Sequence, residues 1–259
     1  MSRIQKAFEG GKAFIGFLTG GDPSIDKSLE FIFEMERAGA DIIEIGVPFS
    51  DPIAEGEVIQ AANIRALSGG ATVRGIFELV RRTRQKSEVP LVLLTYLNPV
   101  YHYGYGEFFA ECELSGVDGI IIPDLPFEES GEVGEEAAKR GVDLISLVAP
   151  TSEERVEMIA KRAKGFLYVV SSMGVTGVRS EIVTDVGAIT ALAKAASEVP
   201  VAVGFGINTP EQAAELAKCA DGVIVGSAIV RIIAEHGGNA GERVYGYVKS
   251  MKEAVGAVR

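Results

Sequence analysis

The chain has 259 residues, of which 47% are apolar and 24% are charged, and its formal net charge is −11. This composition is typical of a folded globular protein and excludes a disordered chain, a collagen-like chain and a disulfide scaffold. The negative charge and the lack of a basic stripe argue against nucleic-acid binding. A small phosphorylated ligand is compatible with both, because backbone N–H groups at helix N-termini can hold one phosphate.

The sequence shows neither a targeting signal nor a metal-binding pattern. No apolar run approaches the ~18 residues of a membrane span, and the first residues lack the apolar core of a signal peptide. Cys112 and Cys219 stand far apart without metal-type spacing, which favours reduced thiols in a cytoplasmic protein. Because the chain has only two histidines, we expect no metal site, and carboxylates, hydroxyls or the backbone must supply any chemistry.

Short apolar segments alternate with longer amphipathic segments along the chain. The apolar segments are rich in Val, Ile, Leu and Phe and are bounded by Gly, Pro, Asp or Ser, which predicts buried parallel strands. Eight strands are predicted, at Ala13–Thr19, Asp41–Val47, Leu91–Tyr96, Asp118–Ile122, Val142–Val148, Phe166–Ser171, Val199–Gly204 and Asp221–Val225.

The segments between the strands have helical spacing of their apolar residues. In one of them Thr209 is a predicted N-cap, Pro210 falls in the first turn, and Gln212 completes a capping box. Four helices stand out, at Ser24–Arg37, Glu128–Arg140, Ser152–Lys164 and Thr209–Ala220.

Eight strand–helix units without a linker predict one (β/α)8 barrel, a TIM barrel, that forms a single domain over residues 1–259. A doubly wound open sheet is the alternative. It is less favoured because the first strand is followed by Thr19–Ser24 and not by a G-x-G-x-x-G loop. Active sites of such barrels lie at the C-terminal ends of the strands, so polar residues at these positions are the candidates for function.

The second predicted strand carries a carboxylate inside an aliphatic run. Strand alternation places Ile42, Glu44 and Gly46 on one face and Ile43, Ile45 and Val47 on the other. If the second face packs on helices, Glu44 points into the barrel, where burial raises its pKa and suits it to act as a general acid. A structural glutamate in a buried polar network would show the same pattern.

The loop after this strand holds three more acidic residues between prolines and glycines. Asp51 is interpreted as a turn former that bonds local N–H groups, and Glu55 and Glu57 have by position alone the pattern of solvated loop charges. At later strand ends, Tyr96 could line a pocket or simply fill the upper part of the barrel, and Asp124 could orient a pocket residue or cap a loop.

Three glycine-rich turns follow the sixth, seventh and eighth strands, at Ser172–Gly177, Gly204–Ile207 and Gly226–Ile229. In barrels of this class the last loops and a helix N-terminus commonly form a phosphate site. Each turn alone fits a simple tight turn, but the three together predict phosphate binding.

The segment E-I-G-V-P-F-S-D-P, Glu44–Pro52, resembles the signature of the tryptophan synthase alpha subunit. The similarity extends over nearly the whole chain, through Phe17–Pro23, Tyr96–Pro99, Pro123–Pro126, Gly174–Gly177, Gly204–Ile207 and Val225–Ala228. The first motif is highly specific, whereas the glycine turns alone would fit several phosphate-binding barrels.

The resemblance implies retro-aldol cleavage of indole-3-glycerol phosphate to indole and glyceraldehyde 3-phosphate, with no cofactor in this chain. It also implies a beta subunit as partner in an α2β2 complex, with pyridoxal phosphate only in that partner. The partner would dock around the active-site rim, on the loops after the second, third and sixth strands. Closure of Ser172–Val186 over the substrate would couple the two subunits.

By the same resemblance, Glu44 shuttles protons, and Glu55 is the second carboxylate, which accepts a hydrogen bond from the indole N–H. The implied substrate-binding residues are Phe17, Leu94, Tyr96 and Tyr168 around the indole, Gly177, Gly206, Gly226 and Ser227 at the phosphate, Phe205 in the seventh-strand turn, and Thr176 on the mobile loop.

The chain departs from the usual family pattern in the loop that carries the second carboxylate. The family usually has Asp-Pro-x-Ala-Asp-Gly-Pro, whereas this chain has Glu55 in place of the later aspartate and Glu57 in place of the last proline. Glu55 adds a methylene, and a displacement near 1 Å can cost about 10²-fold in rate. The loss of proline predicts a less rigid loop.

Two other functions fit parts of the sequence. Another phosphate-binding barrel, such as phosphoribosylanthranilate isomerase or indole-3-glycerol phosphate synthase, explains the late glycine turns but not Glu44 within its motif. An allosteric or scaffolding subunit that has lost its own chemistry explains Glu55 and Glu57. Retention of Glu44, Tyr96 and Tyr168 argues against such a loss.

Overall fold

A computed structural model describes residues 2–149, 152–170, 182–204 and 206–258 of the chain. Its nine short strands form one sheet in the order β5-β4-β3-β2-β1-β9-β8-β7-β6, and every neighbouring pair is parallel. The strands are β1 (Ala13–Thr19), β2 (Ile42–Gly46), β3 (Leu91–Leu94), β4 (Gly119–Ile121), β5 (Asp143–Leu144), β6 (Ser146–Val148), β7 (Leu167–Val170), β8 (Val201–Gly204) and β9 (Gly222–Val225).

Most of the helices cover the outside of the sheet. They are α1 (Arg3–Lys6), α2 (Ile25–Arg37), α3 (Glu57–Ser68), α4 (Val73–Arg84), α5 (Leu97–Tyr103), α6 (Tyr105–Ser115), α7 (Gly131–Lys139), α8 (Glu153–Ala160), α9 (Ile182–Ala196), α10 (Pro210–Ala217), α11 (Ser227–His236) and α12 (Gly241–Gly256). Short 3-10 turns are present at Phe127–Glu129 and Gly237–Asn239. None of the helices in the described part of the chain is long and apolar enough to cross a membrane.

The sheet closes through the fifth predicted strand, Val142–Val148, which the structure divides at Ile145 into β5 and β6. The Ile145 N–H donates to the Ile120 carbonyl on the β4 side at 2.9 Å. The next residue, Ser146, pairs instead with Leu167 of β7. Both ends of the sheet therefore meet within one segment, which closes the predicted (β/α)8 barrel.

The predicted helices are present, with corrected boundaries. The capping box of α10 is confirmed: the Gln212 N–H donates to the Thr209 hydroxyl at 3.3 Å, and the Gln212 side chain accepts from the Thr209 N–H at 3.2 Å. The predicted helix Glu128–Arg140 is a 3-10 turn followed by α7, and the predicted helix Ser152–Lys164 ends at Ala160. Two helices, α3 and α4, fill the connection from β2 to β3.

Alternation along β2 separates two cores, as predicted. Ile43 and Ile45 point outward into the large apolar layer between strands and helices. Ile42 points inward, into the core that fills the barrel. This inner core includes Ile4 of α1, which closes the N-terminal end of the barrel and leaves the C-terminal end for polar residues.

Candidate active site

Glu44 lies on the inner side of β2, where its backbone is flanked by Phe17 on β1 and Val92 on β3. The residue is only 2% exposed, and its Oε2 has no hydrogen-bond partner among the described residues. Burial, together with the nearby charge of Glu55, raises the pKa of Glu44 to about 8. At neutral pH the carboxyl group therefore carries a proton.

Three glycines, on or directly after strands of the sheet, make room for two aromatic rings near Glu44. A Cβ atom at Gly46 would lie 2.7 Å from Phe17 Cζ, and one at Gly226 would lie 3.2 Å from Phe17 Cδ1. A Cβ atom at Gly204 would lie 2.6 Å from the Tyr168 hydroxyl. Burial, together with the charge of Glu44, holds the pKa of Tyr168 well above its ordinary value. The rings thus form the walls of the site.

Leu94 completes this apolar wall at the end of β3. It packs against the core inside the barrel and also against the small cluster of Phe17, Ala62 and Val230. The structure therefore brings three of the four predicted indole-pocket residues, Phe17, Leu94 and Tyr168, to the same end of the barrel as Glu44.

Glu55 lies in the loop between β2 and α3 and is partly buried. Its Oε2 accepts a hydrogen bond from Asn63 Nδ2 at 2.6 Å, and its backbone carbonyl accepts one from Gln60 Nε2 at 2.7 Å. Burial raises the pKa of Glu55 to about 7, against the opposing effect of the hydrogen bond from Asn63. Glu55 is therefore not a solvated loop charge, and it interacts electrostatically with Glu44.

Tyr96, the fourth predicted pocket residue, is buried and anchors the Glu55 loop. Its hydroxyl accepts a hydrogen bond from the Ala54 N–H at 2.9 Å, and its ring lies 5.3 Å from that of Phe49. Burial raises the pKa of Tyr96 to about 12. Asp124 caps the neighbouring helix, because its Oδ1 accepts from the Leu97 N–H at 2.9 Å.

Neither of the two other acidic residues that the sequence placed in this loop, Asp51 and Glu57, is a buried carboxyl group of the site. Asp51 is exposed, and its Oδ2 accepts from the Ser50 hydroxyl; among the described residues no backbone N–H donates to it, contrary to the prediction. Glu57 is the first residue of α3 and not a loop residue. A carboxylate is favourable at this helix position, where proline is also common. Replacement of proline by Glu57 therefore keeps the helix start.

The predicted phosphate residues are described in part. Gly226 precedes α11, and the first helical hydrogen bond there runs from Val230 N–H to Gly226 O at 3.1 Å. The preceding N–H groups, with the Ser227 hydroxyl, lie at a helix start that no side chain caps. Gly206 is exposed with a φ of 77°. The other predicted residues, Thr176, Gly177 and Phe205, with the loop Ser172–Val186 up to residue 181, lie outside the described residues.

Three buried polar residues near this site were not singled out in the sequence. Asn63 is 2% exposed on α3 between the buried Ala62 and Ala66, and a polar residue within an apolar helical stripe is a signal that could have found it. Thr19 ends β1 with a buried hydroxyl that has no partner within the described ranges. Asp22 is paired with Arg65 of α3. No group of three or more His, Cys, Asp or Glu in the described segments is arranged to hold a metal ion.

The fold and the site define a (β/α)8-barrel protein with a buried carboxyl group of raised pKa on the inner face of its second strand. Residues 4–256 match the family model described as tryptophan synthase alpha chain. This chain belongs to that family.

Individual relatives agree with this assignment. The tryptophan synthase alpha chain of Lacticaseibacillus casei is 45% identical over 257 residues, which cover 99% of this chain and 97% of the relative. The crystal structure of tryptophan synthase subunit alpha from Legionella pneumophila has a TM-score of 0.91 at 37% identity and covers both chains fully. A chain in the a2b2 complex from Pyrococcus furiosus has a TM-score of 0.87 at 40% identity and covers 94% of this chain and 99% of its own.

Proposed function

We propose that this chain cleaves indole-3-glycerol phosphate to indole and glyceraldehyde 3-phosphate, as the alpha subunit of a tryptophan synthase. Membership of the family supports the reaction. The observation that carries the assignment of roles is Glu44, a buried carboxyl group whose Oε2 has no partner among the described residues.

Cleavage of the carbon–carbon bond requires one proton to arrive and one to leave. Glu44, protonated at neutral pH because its pKa is about 8, donates its proton to C3 of the indole, which leaves positive charge on the ring nitrogen. The bond from C3 to the glycerol carbon then breaks, and its electron pair returns to the ring. The Glu44 carboxylate takes the proton of the glycerol hydroxyl, which becomes the aldehyde, so that Glu44 ends the cycle protonated.

Glu55 stabilises the cationic ring in this scheme. Its pKa of about 7 lies below that of Glu44, so it is the first of the two carboxyl groups to ionise as the pH rises. An anion that accepts a hydrogen bond from the indole N–H attracts the positive charge that develops on the ring when C3 is protonated. Near neutral pH, where Glu55 ionises and Glu44 is still mostly protonated, the two carboxyl groups can therefore hold different states.

The ring and the phosphate have separate binding regions in this proposal. Phe17, Leu94 and Tyr168 contact the indole ring, and Tyr96 supports the same wall from the loop side. The uncapped start of α11, with Ser227, and the exposed turn at Gly206 hold the phosphate through N–H groups and a hydroxyl. Roles for Phe205, Thr176 and Gly177 remain predictions.

The proposed partner is a beta subunit that binds around the mouth of the site. The relative from Pyrococcus furiosus is described in an a2b2 complex. In this chain Ile53, in the Glu55 loop, is 80% exposed, and Tyr101, on α5, is 68% exposed. Large apolar side chains that are exposed in the connections after neighbouring strands are typical of an interaction surface. We expect pyridoxal phosphate only in that partner and assign the complex to the cytoplasm.

The test is release of indole from indole-3-glycerol phosphate by the purified chain, with and without a beta subunit. Glu44→Gln is expected to lower kcat/KM by about 10²–10⁴-fold, because it removes the only proton donor in the scheme. Glu55→Asp withdraws the carboxylate from Asn63 and is expected to lower kcat/KM by up to about 100-fold.

Glu57→Gln is the matched control, because it changes an exposed acidic residue two positions from Glu55 that begins a helix. It should leave indole release unchanged. A chain that binds the beta subunit but releases no indole under either condition would be a regulatory subunit, and full activity of Glu44→Gln would remove Glu44 from the mechanism.

A further inference from the structure

Asn63 is a buried amide whose contact selects one of the two carboxyl groups of the site. Its Nδ2 lies 2.6 Å from Glu55 Oε2, a short distance that is typical of a bond to a charged acceptor. The corresponding Oε2 of Glu44 has no donor among the described residues. Helix α3 thus supplies a hydrogen-bond donor to the Glu55 carboxyl group but none to Glu44 Oε2.

The helix that carries Asn63 is fixed on both sides of it. Arg65 donates through Nε to Asp22 Oδ1 at 2.9 Å and through a terminal nitrogen to Oδ2 at 2.6 Å, which ties α3 to the loop after β1. Ala62 packs with Phe17 and Val230 in the apolar cluster beside the site. A bidentate pair gives a defined orientation, so the Asn63 amide is a rigidly placed donor.

The groups that influence the charge of Glu55 come from three directions. The charge of Glu55 raises the pKa of Glu44 on β2 and that of the Tyr96 hydroxyl after β3, so both groups face Glu55 in their protonated forms. Asn63 on α3 is the neighbour whose hydrogen bond favours the ionised form against burial. The contact occupies one carboxylate oxygen and leaves the other for a ligand.

We propose that Asn63 is the positioning residue that holds Glu55 as an oriented anion while Glu44 keeps its proton. This rests on the proposed function, because the different protonation states of Glu55 and Glu44 matter only if the two carboxyl groups have the separate roles given above. It also accounts for the longer side chain: glutamate has one more rotatable bond than aspartate, and the Asn63 contact removes the added freedom.

The proposal is tested by the pH profile of kcat/KM for indole release, in the wild type and in Asn63→Ala and Asn63→Asp. If activity needs Glu55 ionised and Glu44 protonated, the profile is a bell whose acid side belongs to Glu55. Loss of the donor in Asn63→Ala is expected to move the acid side to higher pH. Asn63→Asp, which is nearly isosteric, should move it further because a second carboxylate then faces Glu55.

At neutral pH both variants are expected to lose about 100-fold in kcat/KM. In a Glu55→Gln background the same Asn63→Ala change should cost little further activity, because the residue on which it acts is gone. Gln60→Ala, which removes a donor to the Glu55 backbone but not to its carboxylate, is the control and should keep the acid side in place.

The outcomes separate this proposal from the proposed function. A wild type that releases no indole refutes the function itself. An active wild type, with folded Asn63 variants whose acid side does not move or whose loss is equal at every pH, refutes the role of Asn63. A full additional loss from Asn63→Ala in the Glu55→Gln background also refutes it, since Asn63 would then act elsewhere.

Discussion

The two ends of the barrel interior are built from the same strands but are filled in opposite ways. At the N-terminal end, Ile4 packs against Gly119, and Phe8 against Phe166 with ring centroids 6.0 Å apart. At the C-terminal end, Glu44 and Thr19 bury polar atoms that have no partner among the described residues. The lower end is arranged for stability, and the upper end tolerates an unfavourable arrangement that a substrate can use.

Charged groups follow the same division. At the lower end, Asp118 accepts from Arg84 at 2.5 Å and from the Leu91 N–H at 2.8 Å. Asp41 accepts from the Phe14 N–H and from Lys252, both at 2.6 Å. These carboxylates have full sets of donors, whereas Glu44, two residues from the apolar Ile42, has none for its Oε2. The buried Glu44 therefore lacks donors of the kind that the two aspartates have.

The largest expected effect is on the pH dependence of stability. Between pH 4.5, near which an exposed glutamate ionises, and about 8, the folded chain keeps a proton on Glu44 that the unfolded chain has lost. The free energy of unfolding should therefore fall as the pH rises through this range, by on the order of 5 kcal/mol in all. Urea unfolding of the wild type and Glu44→Gln at several pH values measures it.

Glu44→Gln removes this titration, so its stability should fall less steeply over the same range and exceed that of the wild type above pH 8. Parallel curves for the two proteins would mean that Glu44 is ionised in the folded state. The proposed contrast between the two ends of the barrel would then be wrong, because Glu44 is the residue on which it mainly rests.

The second prediction tests the lower end. Ile4→Ala opens a cavity beneath the inner core and should lower the free energy of unfolding by about 2–5 kcal/mol. The kcat/KM for indole release by the folded fraction should change little, because the site is at the other end. Leu114→Ala, at an exposed position of α6, is the control and is expected to be nearly neutral. Denaturant titration together with the indole assay would show whether the ends are independent.

The third prediction concerns the space above Glu44. Gly204→Ala places a methyl group 2.6 Å from the Tyr168 hydroxyl, so the ring must move. We expect a cost of about 1–3 kcal/mol in stability, typical of overpacking, with a rise in KM. Gly246→Ala on α12, where a Cβ meets nothing within 4 Å, is the matched control. Equal KM values in both variants would mean that Tyr168 does not line the pocket.

The smallest expected effect is at Tyr96. Tyr96→Phe removes the acceptor of the Ala54 N–H and should loosen the Glu55 loop at a cost of about 0.5–1.5 kcal/mol. We expect a severalfold lower kcat/KM and no shift of the pH profile, because the Asn63 contact remains. A shift as large as that in Asn63→Ala would transfer the positioning role from the amide to the tyrosine.

Local patterns predicted the fold to a large extent. Ala13–Thr19 is a strand over its full predicted length, because a run of apolar residues between Lys12 and Gly20 has no competing helical period. The fifth strand was predicted as one piece, because the sequence pattern indicates that a segment is buried but not which strands it pairs with. The change of partner at Ile145 depends on closure of the whole sheet, which no local pattern contains.

A site residue could be predicted where its own type and position in the sequence were unusual. Glu44 was found because a carboxylate in an aliphatic strand contradicts its surroundings. Asn63 was missed because its role depends on a contact eight positions away, across a helix start, and Glu57 was placed in a loop because the start of α3 lacks a side-chain cap. The roles of Asn63 and Glu57 depend on contacts between elements and on where a helix begins, which the residue types alone do not show.

The divided fifth strand also has a consequence for how the barrel opens. Two residue pairs join β4 to β5, whereas five join β1 to β2. Fewer ladder hydrogen bonds mean a smaller free energy of local opening, so amide deuterium exchange should be fastest along the seam beside Ile145 and slowest around β1. Local opening of the barrel is therefore expected first along this seam, where the chain changes its pairing from β4 to β7.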